Sequence, residues 1–183
     1  MKDHILTHHY TAVADASPIP ILLYNVPPFT GVNISPAVVS KLAEHPNIIG
    51  MKDTSGNITQ MGLLIRATEG KDFDVLAGSA NHFLPSLLVG AVGGILALAN
   101  IAPDECCQIQ SLFRAGKLEE ARELHLRVLA VNQGITAGMG VAGLKYAMEL
   151  RGYFGGEPRQ PLLPLPADKQ AEMEALLREA QLI

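Results

Sequence analysis

The sequence contains no tryptophan and only two cysteines, Cys106 and Cys107, which are neighbours. Adjacent cysteines cannot close an ordinary disulfide loop, and two thiols alone do not make a zinc site. This usage favours a reducing compartment, so a cytoplasmic location is expected, or a mitochondrial one in a eukaryote. The net charge is −4 and no basic run exceeds two residues, which argues against a nucleic-acid partner.

The chain also lacks the signals of secretion, of membrane insertion and of a metal site. Its first residues have no long apolar core of the kind a signal peptide carries. Residues 83–103 contain no charged side chain, but proline and three glycines interrupt them and no aromatic belt flanks them. His4 and His8 share a helix face without a third ligand nearby. No membrane partner and no metal are therefore expected.

What is present is a globular composition, with 48% hydrophobic and 17% charged residues over 183 positions. Apolar runs without polar alternation predict four buried strands, over residues 21–26, 48–52, 73–78 and 93–99. A helical pattern precedes them over the first residues and is stopped by Pro18, and further helical patterns separate and follow them over residues 35–45, 58–68, 82–89, 104–114, 118–137, 141–150 and 169–180. Residues 27–31 are predicted to be a loop, and Ser35 before Pro36 is predicted to cap a helix.

Alternating strands and helices predict right-handed crossovers and a parallel sheet with both faces covered. Four strands are few, because a closed barrel of this kind has eight and an open doubly wound sheet usually has five or more. The residues alone leave two alternatives, a small open sheet or one half of a larger fold. In either one, ligands bind at the carboxyl ends of the strands.

Lys52 is the only lysine that directly ends an apolar strand. Apolar surroundings disfavour the charged form of a lysine, and a neutral amine can attack a ketone to form a Schiff base. Tyr24 ends the preceding strand, so its phenol is expected beside Lys52, where it could shuttle protons. The alternative is a structural pair, with Lys52 bound to Asp53 and Tyr24 in the core with a satisfied hydroxyl.

A glycine pattern near the C-terminus imitates a dinucleotide-binding motif. Residues 138–143, GMGVAG, fit G-x-G-x-x-G, but they follow a predicted helix instead of a strand. A turn between two helices explains the pattern better, so a nucleotide-binding domain is not expected.

Tyr24-Asn25-Val26-Pro27, then Thr30-Gly31, and Gly50-Met51-Lys52-Asp53 at the end of the next strand resemble the dihydrodipicolinate synthase/N-acetylneuraminate lyase family. The resemblance implies the C-terminal half of a (β/α)8 TIM barrel over residues 1–103. A closing helix and a C-terminal helical region would follow over residues 104–183. The chain would begin in the fourth helix of such a barrel and lack the first four strands.

The family resemblance also implies an activity, that of a class I aldolase acting on pyruvate or another 2-oxo acid. Lys52 would form the imine, without any separate cofactor, and Tyr24 would relay protons. Thr54, Gly78, Ser79 and the backbone carbonyl of Ile95 would line the substrate end of the pocket. A homo-oligomer, tetramer or dimer, is expected from the same resemblance.

Departures from the family pattern bear on the substrate. Phe29 stands where dihydrodipicolinate synthases carry an arginine for the aldehyde partner's carboxylate, and Ala80-Asn81 replaces an Asp-Glu pair of neuraminate lyases. The sequences of residues 76–80 and 90–100 most resemble those of the 4-hydroxy-2-oxoglutarate aldolase branch. Cleavage of a short 2-oxo acid is therefore expected. The alternatives are dihydrodipicolinate synthase activity, or a chain with an incomplete site that serves as an assembly or binding module.

Overall fold

The computed structural model describes residues 2–183, which form two compact units that divide between Ile95 and Leu96. The first unit holds all four strands and the helices between them. Their bounds in chain order are α1 Asp3–Ala16, β1 Ile21–Asn25, α2 Pro27–Thr30, α3 Pro36–Leu42, β2 Ile48–Asp53, α4 Ile58–Ala67, β3 Asp74–Ala77, α5 Phe83–Leu88 and β4 Gly93–Gly94. The sequence predicted a domain boundary after residue 103, and this boundary stays a prediction.

The strands form one parallel sheet in the order β1-β2-β3-β4, as the alternation of strands and helices predicted. Strand β1 pairs with β2 so that Leu23 stands opposite Met51, and Met51 stands opposite Val75 in β3. These three side chains are at most 3% exposed and face the helices. They form the core together with apolar side chains of α1, α3 and α4.

The other face of the sheet is more open. Exposure alternates along β1, where Leu22 is 43% exposed and Tyr24 46%, while Leu23 and Asn25 between and after them are buried. A strand directs successive side chains to opposite faces, so Leu22 and Tyr24 share the open face. This alternation decides which residues at the carboxyl ends of the strands have side chains on the open face.

The start of α3 confirms the predicted cap. The Ser35 hydroxyl accepts a hydrogen bond from the Val38 backbone N–H at 3.3 Å, and Pro36 occupies the first helical position. The same hydroxyl donates to Asp3 Oδ2 at 2.9 Å, which ties the start of α3 to the start of α1. A serine cap and an N-terminal proline therefore end the loop after β1 at a defined residue.

Two predicted elements differ from the structure. The fourth strand, predicted over residues 93–99, is confined to Gly93–Gly94 and gives way to a 3-10 turn over Ala97–Asn100. Strand β3 ends at Ala77, whose carbonyl accepts a hydrogen bond from the Ile95 N–H. Beyond Ile95, β3 has no further residue with which the fourth strand could pair. The predicted loop after β1 contains a short helix, because two prolines preset its backbone and Gly31, at φ 65°, ends it.

The second unit is helical. Its helices are α6 Pro103–Arg114, α7 Leu118–Gln133, α8 Gly140–Leu150 and α9 Ala167–Glu179, with a π-helical turn over Gly134–Gly138. Helix α6 packs on α7, and α9 packs on both α7 and α8. The G-x-G-x-x-G pattern lies at the junction of the π-helical turn and α8, which confirms the interpretation as a helix–helix connection.

Candidate active site at the carboxyl ends of the strands

Tyr24 and Lys52 are neighbours across β1 and β2. They are register partners in the parallel ladder, and the Lys52 ammonium nitrogen lies 4.3 Å from the centre of the Tyr24 ring. Parallel register partners present their side chains on the same face, so both groups stand on the open face of the sheet. The prediction that the phenol lies beside the lysine is confirmed.

The structural alternative requires Lys52 to pair with Asp53, and that pair does not form. Asp53 is fully buried on the opposite face, where Asn25 and Ser55 donate to its carboxylate at 2.6 Å each. Within residues 2–183, Lys52 makes no ion pair with any carboxylate. Since adjacent strand residues point to opposite faces, the sequence neighbour of Lys52 is the wrong partner for it.

Thr54, Gly78 and Ile95 lie along the same edge of the sheet. Each donates its backbone N–H to the last residue of the preceding strand: Thr54 to Asn25 at 2.9 Å, Gly78 to Asp53 at 2.7 Å, and Ile95 to Ala77 at 2.9 Å. The ladder thus continues past the strand ends and sets these three residues in a row. Ser79 follows Gly78, and its hydroxyl accepts from the Asn81 N–H at 3.3 Å.

Gly78 packs so closely on the end of β2 that no side chain fits there. A Cβ on this residue would come within 1.9 Å of the Thr54 hydroxyl oxygen and 2.7 Å of the Asp53 carbonyl oxygen. The Thr54 hydroxyl is itself buried and has no hydrogen-bond partner among residues 2–183. A buried hydroxyl without a partner is costly, and such groups concentrate at functional sites.

A mostly apolar cavity of about 420 Å³ adjoins the Tyr24 side of this edge. Its lining comes from α1, from the end of β1, and from the end of α2 with the segment after it: Ile5, Leu6, His9, Tyr10, Tyr24, Asn25, Thr30, Val32 and Ile34. Lys52 does not line it. The sequence interpretation missed His9 and Tyr10 because nothing in their spacing separates a cavity-lining position from a surface one.

His82 ends the 3-10 turn Ala80–His82 that follows β3, and it is 8% exposed. Its Nδ1 is 3.1 Å from the Ser86 hydroxyl, whereas its Nε2 is buried without a partner among residues 2–183. Burial lowers the pKa of His82 below its usual 6.5, and the negative charge of Asp53 offsets part of that effect. The imidazole is therefore held neutral near pH 7.

We expect His82 to make folding stability depend on pH. Because its pKa is lower in the folded than in the unfolded chain, the unfolded chain binds the proton more readily. Stability is then full above pH 6.5 and is lost as the pH falls from 6.5 towards the lowered folded pKa. Urea unfolding at several pH values should show this slope flattened in His82→Gln. The matched variant His8→Gln, on the exposed side of α1, should keep the slope, and an equal slope in all three proteins would contradict the prediction.

No group of three or more side chains able to hold a metal ion occurs within residues 2–183. His4 and His8 are both exposed on α1. Among the same residues, no helix is long and apolar enough to cross a membrane. The uncharged segment that imitated a span is divided between α5, β4 and a 3-10 turn.

Fold and site together define a parallel α/β protein in which a lysine and a phenol stand side by side at the carboxyl ends of adjacent strands. The chain belongs to the dihydrodipicolinate synthetase family, whose family model matches residues 2–180. This match confirms the resemblance seen in the motifs around Tyr24 and Lys52.

Relatives and solved structures agree with the family. A 4-hydroxy-tetrahydrodipicolinate synthase of Geobacter sulfurreducens is 40% identical over 178 residues, which cover 97% of this chain and 61% of the relative. A dihydrodipicolinate synthase family protein of E. coli, solved in complex with pyruvate, is 29% identical with a TM-score of 0.91, covering 100% of this chain and 63% of that one. A Thermus thermophilus structure described as a dihydrodipicolinate synthase is 35% identical with a TM-score of 0.82, covering 96% and 61%.

The chain thus spans about three fifths of the length of the relatives it matches. The predicted fold class is confirmed: four parallel strands with their helices, as in the C-terminal half of a (β/α)8 barrel, followed by a helical C-terminal region.

Proposed function

We propose that this chain carries the Schiff-base centre of a class I aldolase, in which Lys52 forms an imine with a 2-oxo acid and Tyr24 moves the protons. The observation that carries the proposal is the contact of the Lys52 side-chain nitrogen with the Tyr24 ring at 4.3 Å, with no carboxylate of residues 2–183 paired to the lysine. A lysine engaged in an ion pair would have to break it before attacking a ketone. Lys52 instead has the face of the Tyr24 ring 4.3 Å from its nitrogen.

The chemistry follows from the two groups. The Lys52 ammonium gives one proton to a base, its amine attacks the C2 carbonyl of the 2-oxo acid, and return of a proton to the carbinolamine oxygen lets water leave and gives the protonated imine. In the cleavage direction a base removes the proton of the C4 hydroxyl, the C3–C4 bond breaks, and its electron pair passes through an enamine to the imine nitrogen. The aldehyde leaves as the C3–C4 bond breaks, and reprotonation at C3 followed by hydrolysis of the imine then releases pyruvate and restores the Lys52 amine. We propose Tyr24 as the group that carries these protons, and the imine itself is the electron sink, so this route uses no further cofactor.

The substrate end of the site is proposed to lie on the row formed by Thr54, Gly78, Ser79 and Ile95. The proposal is supported by the backbone N–H bonds of Thr54, Gly78 and Ile95 to the ends of β1, β2 and β3, the first two of which carry Tyr24 and Lys52. Gly78 contributes by having no side chain, since even a methyl group would collide with Thr54. Catalytic groups on strand ends with such support keep the geometry that imine chemistry requires.

For the substrate we propose a short 2-oxo acid such as 4-hydroxy-2-oxoglutarate. Phe29 in α2 is 86% exposed and carries no charge at the position where the family resemblance expects an arginine in the synthases. The carboxylate of the amino aldehyde that a synthase condenses with pyruvate would thus lose one charge-assisted hydrogen bond. Dihydrodipicolinate synthase activity is the second candidate, and the names of three similar relatives favour it.

The two candidates are separated by a substrate panel. Cleavage is followed as pyruvate released from 4-hydroxy-2-oxoglutarate, and condensation as pyruvate consumed with a carboxylate-bearing amino aldehyde. We expect cleavage to be faster, and Phe29→Arg to improve use of the aldehyde by about tenfold, the value of one hydrogen bond to a charged group. Faster condensation by the unsubstituted chain, with no gain in Phe29→Arg, would favour the synthase instead.

We also propose that the open face of the sheet is covered in an assembly, as a homo-oligomer. Leu22 and Tyr24 on that face are 43% and 46% exposed, and Ile95 at the end of β4 is 45% exposed. Parallel sheets are normally covered on both faces, so apolar side chains left open here favour association. Light scattering tests this directly: a dimer or tetramer is expected, and a concentration-independent monomer would contradict it.

A further inference from the structure

On the face of the sheet opposite Tyr24 and Lys52, the next residue of each strand forms a second pair. Asn25 and Asp53 are register partners, and the Asn25 side-chain N–H donates to Asp53 Oδ1 at 2.6 Å. They are 1% and 0% exposed. We call these two side chains the strand clamp.

Every polar atom of the strand clamp is used. Asn25 also donates to Asn33 Oδ1 at 2.8 Å and accepts from the Ile34 backbone N–H at 3.0 Å. The Ser55 hydroxyl donates to Asp53 Oδ2 at 2.6 Å. Gln60 of α4 then exchanges two side-chain hydrogen bonds with Asn33, at 2.6 and 3.0 Å. The network therefore ties β1 to β2, to the segment before α3 and to α4.

Burial of a carboxylate in this place is costly, and stability alone does not call for it. Replacing a buried polar pair with well-packed apolar residues is often neutral or stabilising. The polar pair instead specifies the register in which β1 pairs with β2. Moving a strand by one residue sends every side chain to the other face, and the hydrogen bond between Asn25 and Asp53 forms only when these two positions stand opposite each other.

The register held on the buried face decides what meets on the open face. Tyr24 precedes Asn25 and Lys52 precedes Asp53, so a bond between the second pair sets the first pair side by side. We infer that the strand clamp is a positioning device that holds the Tyr24 phenol against the Lys52 amine. The inference rests on the proposed function for its catalytic consequence, although the placement itself is a structural property. Asn25 and Asp53 do not touch the open face and act only through their neighbours.

The test separates positioning from simple structural support. In the double variant Asn25→Leu/Asp53→Leu the buried pair becomes apolar, so the protein should still fold. We expect the Tyr24 ring to leave its place over Lys52, and the upfield ring-current shift of the Lys52 ε-methylene signal in a ¹³C-labelled sample to disappear. The swapped variant Asn25→Asp/Asp53→Asn keeps one N–H···O bond between the strands and should restore part of the shift.

Turnover gives the second readout. We expect the double leucine variant to lose roughly 10²-fold in kcat with little change in KM, because a displacement of about 1 Å costs that much in a positioned proton transfer. Borohydride trapping of pyruvate on Lys52 should persist, since the amine remains. If the unsubstituted chain shows no turnover at all, the proposed function fails, while the ring-current shift still decides whether the strand clamp positions the pair.

An unchanged ring-current shift in the folded double leucine variant would overturn the inference. Should that variant fail to fold, Asp53→Asn gives the same decision. Its bond to Asn25 is no longer charge-assisted and is weaker, so a partial loss of the shift is expected, and a full shift would overturn the inference.

Discussion

Lys52→Ala is expected to reduce pyruvate release to background, a loss on the order of 10³-fold or more, because no other group can form the imine. Neither water nor Tyr24 offers an amine to the ketone, so the covalent route disappears instead of slowing. The measurement is the initial rate of pyruvate release from 4-hydroxy-2-oxoglutarate, with folding checked by circular dichroism.

Two matched variants make this result specific. Lys52→Arg keeps a cation over the Tyr24 ring but offers no nucleophilic amine, and it should be as inactive as Lys52→Ala. Lys41→Ala removes an exposed lysine in the last turn of α3 and should leave the rate unchanged. Retention of a substantial rate by either Lys52 variant would show that the chemistry does not pass through an imine at this residue.

Gly78→Ala is expected to give the largest loss of stability, about 3 kcal/mol in the free energy of unfolding. The added methyl group would lie 1.9 Å from the Thr54 hydroxyl oxygen and 2.7 Å from the backbone oxygen of Asp53. The hydroxyl is on a short side chain and the oxygen is backbone, so neither can move far. The change therefore strains the ladder between the ends of β2 and β3, and urea unfolding measures it.

Controls for Gly78→Ala come from the chain itself. Gly62 lies inside α4 with nothing near its would-be Cβ, so Gly62→Ala should be neutral or stabilise by up to about 1 kcal/mol. Adding Thr54→Ala to Gly78→Ala removes the nearest clash and should recover part of the loss, making the pair non-additive. A destabilisation no larger than that of ordinary surface changes would show that the close packing of Gly78 on Thr54 is not rigid.

Much of the fold could be predicted from the sequence, because long apolar runs and helical periodicity mark the buried elements. The strands around Leu23, Met51 and Val75 were predicted because each of these residues lies in a short apolar run. Strand β4 was predicted too long for a physical reason: its extent depends on where β3 ends, which its own residues do not encode. The helix Pro27–Thr30 was missed because prolines mark both turns and helix starts.

Part of the candidate site could be predicted, because residues at the carboxyl ends of adjacent parallel strands lie at the same edge of the sheet. Tyr24 and Lys52 each end a strand, and the parallel register brings them together. The strand clamp was not predicted, although its signal was available. Alternation by two assigns Asp53 to the face opposite Lys52 and Asn25 to the face opposite Tyr24. What the sequence could not supply is that these two side chains meet at 2.6 Å.

The residue to which pyruvate attaches tests most directly whether Lys52 is the nucleophile. The chain is incubated with pyruvate and borohydride, digested, and mapped by mass spectrometry. We expect one reduced pyruvate adduct on the peptide that contains Lys52. The adduct should be absent from Lys52→Arg and present in Lys41→Ala. A folded chain that carries no adduct, or carries it on another lysine, would contradict the assignment of Lys52 as the nucleophile.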